Sequence, residues 1–121
     1  MYNTIMVPVD LAHLPQISAA IDTAGDLARL YGATIVFVSI TAEAPTAIAR
    51  DPAEFRARLT SFGAEQAARL GVEISTRAHA TADPSIDIDR KLAEAIADTG
   101  ADLVVMASHR PGLADYFWAA H

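Results

Sequence analysis

A chain of 121 residues is long enough for one domain with a real core and too short for two. Its 52% hydrophobic and 20% charged residues are those of a soluble globular protein, and no apolar run is long enough to span a bilayer. A net charge of −6 speaks against non-specific binding to nucleic acid or anionic membranes, and zero cysteines remove disulfides, thiol catalysis and cysteine-ligated metal.

The opening MYNTIMVPVD has no basic segment and reaches Asp10 too early for a signal peptide, so the cytoplasm is the expected compartment. Within it, Thr4 to Val9 is short, continuously apolar and β-branched, the pattern of a strand covered on both faces. Ile17, Ala20, Ile21, Ala24, Leu27, Ala28 and Tyr31 then recur at helical spacing, and Gly32 supplies a stop. Thr34 to Ile40 predicts a second buried strand, followed by a loop from Thr41 to Arg50 that is broken by Pro45.

Asp51 and Pro52 open the next helix, whose face carries Phe55, Leu59, Phe62 and Leu70 before Gly71. Val72 to His79 alternates only partly and is expected near a sheet edge. Asp83-Pro84 repeats the helix opening, with Ile88, Leu92, Ala95, Ile96 and Thr99 as the inward stripe and Gly100 as the stop. Leu103 to Ala107 predicts a fourth buried strand.

Strands alternating with helices of this length imply right-handed crossovers, hence a doubly wound α/β domain with a parallel sheet and helices on both faces. Ligands of such sheets sit beyond the carboxyl ends of the strands, where strand order reverses. The informative positions are therefore Asp10, Ser39 to Thr41, and Ala107 to Gly112.

Pro8 cannot donate a ladder hydrogen bond, so regular pairing is expected to fail near the end of the first strand, which releases Asp10 onto the ligand edge. There a carboxylate either accepts from ribose hydroxyls or caps the following turn. The stretch VVMASHRPG ends an aliphatic run in Ser108, His109, Arg110 and Gly112. Backbone N–H groups, a hydroxyl and a guanidinium suit a phosphate, although the same residues also make a plain polar turn.

TIMVPVD, the Gly-Ala pair before the second strand, and GADLVVMASHRPGL from Gly100 to Leu113 resemble the universal stress protein family over essentially the whole chain. The resemblance implies a Rossmann-like domain of the adenine-nucleotide alpha-hydrolase type, residues 1–121 forming one such unit. It further implies a homodimer or higher homo-oligomer that binds ATP, AMP or ADP, with or without magnesium. Pro8, Val9 and Asp10 would then lie against the adenosine, Ser39 and Ile40 would meet adenine through backbone groups, and Met106, Ala107, Ser108, His109, Arg110 and Gly112 would form the phosphate loop.

ATP-binding members of the family read Gly, two residues, Gly, nine residues, Gly, then Ser or Thr. Here Ala107, Arg110, Ala120 and His121 occupy those positions. A methyl at Ala107 stands where backbone approaches phosphate, and Arg110 adds charge. By the same comparison the chain stops about a helix and a strand short, roughly two dozen residues at usual element lengths.

Other chemistry is weaker. His13, His79, His109 and His121 are scattered without metal-ligand spacing, and Ser108 and His109 are chain neighbours without an orienting acid. Asp83, Asp87 and Asp89 read as charges in a helix's first turn, not as a calcium loop. The expected function is an adenine-nucleotide-binding regulator with at most slow ATP hydrolysis. The SHRPGL form resembles members that regulate TRAP-type solute transporters. The alternative is an oligomeric interaction module of the same fold that binds no nucleotide.

Overall fold

The computed structural model describes residues 1–107. In chain order they form β1 (Thr4–Pro8), a 3-10 turn (Leu11–His13), α1 (Leu14–Tyr31), β2 (Thr34–Ala42), α2 (Pro52–Leu70), β3 (Ile74–Thr81), α3 (Pro84–Thr99) and β4 (Leu103–Val104). Both predicted Asp-Pro openings start helices. The Asp51 carboxylate accepts the Glu54 N–H at 2.8 Å, and that of Asp83 accepts the Ser85 N–H at 3.1 Å. Each satisfies a donor that the first helical turn leaves open. All three helices end on glycines in the left-handed region, Gly32, Gly71 and Gly100, where a side chain would strain the backbone.

The four strands are parallel in the order β3-β2-β1-β4. The chain steps outward from β1 to β3, then α3 carries it back across the sheet to the other side of β1. Strand order thus reverses between β1 and β4, the place where doubly wound sheets open a crevice.

Alternation along the strands divides the core. Ile5, Val7, Ile35 and Phe37 face α1 and α2, where they meet Ile17, Ile21, Ala24, Leu59 and Leu70. The rings of Phe37 and Phe62 stack there with centroids 5.6 Å apart. Each large side chain fully withdrawn from water on this face contributes roughly 1.5–3 kcal/mol. Met6, Val36 and Val38 face α3 and meet Ala95, with Leu92, Ile40 and Val104 partly buried around them.

The structure corrects several element readings. β2 runs on through Thr41 and Ala42, because β3 continues beside it as far as Thr81. β3 begins at Ile74 and not Val72, and it is an edge strand as expected. β4 is two residues long and half-buried, against the buried strand expected from Leu103 to Ala107. Of the inward stripe predicted for α3, Ala95 is buried, while Ile88 and Ile96 remain 40% and 39% exposed. α3 rests mainly over β2, reaching β1 and β3 to either side, and of its residues only Ala95 is fully buried, so Ile88 and Ile96 on its flanks meet solvent. Among the described residues no helix is long and apolar enough to cross a membrane.

Candidate functional site

At the carboxyl end of the sheet the strands finish unevenly. The last β1–β2 pair is Pro8 with Val38, whereas β2 and β3 stay paired through Ala42 and Thr81. Ser39 and Ile40 therefore lie within β2, not after it, and rise as a step above the end of β1.

Backbone polarity in a strand alternates between its two neighbours. The Thr34 N–H donates to the Asn3 carbonyl at 3.0 Å and the Val38 carbonyl accepts from the Val9 N–H at 2.8 Å, so even-numbered residues of β2 face β1. Odd-numbered ones face β3, as the Ile35 N–H shows by donating to the Glu73 carbonyl at 2.9 Å. Ile40 is even, and β1 has ended by its level. Its N–H and C=O consequently point over the step, without a backbone partner among the described residues. The Val9 carbonyl, which a continued ladder would offer to Ile40, instead accepts the buried Ser39 hydroxyl at 2.5 Å.

Asp10 follows at once, as the cap of the 3-10 turn. Its Oδ1 accepts the Ala12 N–H at 3.0 Å, and its Oδ2 lies 2.8 Å from Nδ1 of His13. The carboxylate thus caps the turn, while 58% of the side chain stays open to solvent.

β4 brings the third part. Thr4 and Met6 turn their carbonyls to this strand, accepting from Asp102 and Val105 at 3.0 Å each. Pro8 has the same parity, so the N–H it lacks is the one that would bind the Val105 carbonyl. Pairing stops there for that reason. Val104 is opposite Met6, so Met106 and Ala107 follow the carboxyl end of β4 beside that of β1. Met106 is 43% exposed, and Ala107 packs against the α1–α2 face of the core. Ser108, His109, Arg110 and Gly112 lie outside the described residues.

Pro8, Val9, Asp10, Ser39, Ile40, Met106 and Ala107 are thereby brought to one end of the sheet, around the point where strand order reverses. Two grooves of about 410 and 320 Å³ lie elsewhere, between α1 and α2, and share Leu14 and Phe62. None of the seven lines either groove, and only Leu11 links them to the rim. The grooves mix apolar side chains with charged ones such as Arg58, Glu65, Asp22 and Arg69, whereas the rim carries the Asp10 carboxylate and the Ile40 N–H and C=O, which have no backbone partner among the described residues. Chemistry therefore favours the rim. Among the described residues no group of three His, Cys, Asp or Glu side chains is placed to hold a metal ion. The sequence reading assigned His13 an ordinary surface role and missed its contact with Asp10, which the spacing Asp-x-x-His at a turn would have signalled.

Several solved structures share the fold, three universal stress proteins among them. A universal stress protein family member from Burkholderia pseudomallei matches with a TM-score of 0.67 at 24% identity, covering 98% of this chain and 89% of that one. A universal stress protein in complex with cAMP gives 0.65 at 19%, covering 96% and 84%. One from Archaeoglobus fulgidus gives 0.62 at 18%, covering 92% and 81%. No curated protein matches. The family model described as the universal stress protein family matches residues 1–120, and the chain belongs to that family.

Proposed function

We propose that this chain binds an adenine nucleotide at the step above β1 and acts as a regulator that passes ligand state to a partner. The observation that carries the reading is the Ile40 backbone, whose N–H and C=O face the step without a backbone partner among the described residues, at the same end of the sheet as the exposed Asp10 carboxylate. An adjacent donor and acceptor fit the amine and ring-nitrogen edge of adenine, and an exposed carboxylate at the same sheet end suits the ribose diol. Met106 and Ala107, just past the carboxyl end of β4, lead into SHRPG, whose Arg110 supplies charge for phosphate. The related structure in complex with cAMP supports an adenine nucleotide as the ligand class.

Within that class the proposed ligands are AMP, ADP and ATP, the last with or without its own magnesium. What supports a TRAP-type transporter component as the partner, in the cytoplasm, is the likeness of SHRPGL to such regulators. A non-nucleotide interaction module is the second reading. It is favoured by the short β4 at the sheet edge and by exposed Met106, Ile88 and Ile96.

Isothermal titration with AMP, ATP and cAMP tests the first reading. Binding should be seen with at least one of them, and Asp10→Ala should weaken it by about 10- to 100-fold, as expected for loss of a charged hydrogen-bond acceptor. No heat with any of the three at millimolar concentration overturns it.

A further inference from the structure

We infer that His13 is a positioning residue for Asp10, holding the carboxylate as a preset acceptor for the cis-diol of a nucleoside; this rests on the nucleotide reading above. An exposed aspartate ordinarily samples several rotamers, and a ligand that needs one of them must overcome that freedom on binding. Here two donors restrict it. The Ala12 N–H holds Oδ1 at 3.0 Å and the imidazole Nδ1 holds Oδ2 at 2.8 Å.

Each carboxylate oxygen accepts more than one hydrogen bond, so both retain a lone pair for an incoming hydroxyl. A vicinal diol presents two donors, and an oriented carboxylate presents two acceptors. Ala12 alone fixes one oxygen and leaves the other to swing. The ring is not needed to close the turn, because the His13 N–H donates to the Asp10 carbonyl at 3.0 Å regardless of the side chain. Its contribution therefore falls on the carboxylate and not on the backbone.

The experiment compares AMP with 2′,3′-dideoxy-AMP by calorimetry on the wild-type chain, His13→Ala and His13→Asn. Asparagine places an amide N–H near the position of Nδ1, while alanine removes the donor. The expected result is a wild-type preference for AMP that falls about three- to tenfold in His13→Ala, with binding of the dideoxy compound unchanged, and returns in His13→Asn. Equal loss for both ligands, or an unchanged preference in His13→Ala, overturns the role of His13 and leaves the nucleotide reading standing. Absence of binding by the wild type removes both.

Discussion

Ser39, only 3% exposed, donates its hydroxyl to the Val9 carbonyl oxygen at 2.5 Å and closes the β1–β2 ladder one bond before the backbone would. Ser39→Ala removes the hydroxyl donor from that buried carbonyl, at a net cost of up to about 1 kcal/mol. It also frees the carbonyl to accept from the Ile40 N–H, which lies next along the ladder. Urea unfolding should show the loss, and hydrogen exchange at Ile40 should slow. Unchanged exchange would mean that Ser39 does not hold the step open.

Much of this arrangement could be read from residue order. Continuous β-branched runs marked β1 and β2 because both are covered on two faces, and the Asp-Pro pairs marked α2 and α3 because capping is local chemistry. The ends of strands were harder. Thr41 and Ala42 look like loop, and β3 is what keeps them paired. The weakness of Pro8 as a ladder member is expected for β1, yet its effect falls on the β4 side, since the missing donor faces Val105 while the Val9 N–H still bonds the Val38 carbonyl. Which side of a strand a residue's amide faces depends on register between distant segments, and no local pattern carries it. The Ile40 amide was therefore reached from the sequence only through family resemblance.

Gly63 and Thr76 set how closely α2 approaches β3. A methyl built on Gly63 would lie 2.6 Å from Cγ2 of Thr76, which is anchored close to the strand backbone. Gly63→Ala should destabilise by about 1–2 kcal/mol, overpacking outweighing the helix-propensity gain of about 1 kcal/mol. Thr76→Ser removes the clashing methyl and retains the hydroxyl that lies 3.4 Å from that of Thr60. In that background Gly63→Ala should become neutral or stabilising. A double-mutant cycle by chemical denaturation reads the coupling; additive effects would place the constraint elsewhere.

Asp102 joins the starts of β4 and β1, accepting from the Asn3 N–H at 3.0 Å and the Thr4 N–H at 3.1 Å. These backbone donors, first Asn3 and then Thr4, hold its carboxyl below the ordinary value of 3.8. A lowered folded-state pKa means stability that is present above the unfolded value and lost as pH falls through the folded one. Asp102→Asn should therefore lower the unfolding midpoint at neutral pH, and the gap to wild type should close below about pH 4. A constant gap from pH 7 to pH 3 would show that ionisation of Asp102 does not contribute.

Two capping aspartates should separate stability from function. Asp51 starts the 19-residue α2, and Asp51→Ala should cost about 1 kcal/mol, because an open donor at that end weakens a helix packed along the sheet. Asp10 caps a turn of three residues, none of them fully buried, of which Leu11 packs partly against the core. The turn also keeps its backbone bond from His13 to the Asp10 carbonyl, so Asp10→Ala should cost less than half as much as Asp51→Ala. If Asp10 is held at the rim for a ligand, the same substitution weakens nucleotide binding by an order of magnitude or more. Asp51→Ala should leave that binding unchanged. Thermal melts with and without AMP distinguish the two residues: ligand should raise the melting temperature of Asp51→Ala as it does that of wild type, and should barely move that of Asp10→Ala. The reverse pattern would make Asp10 an ordinary cap and shift the search for the ligand to another part of the rim.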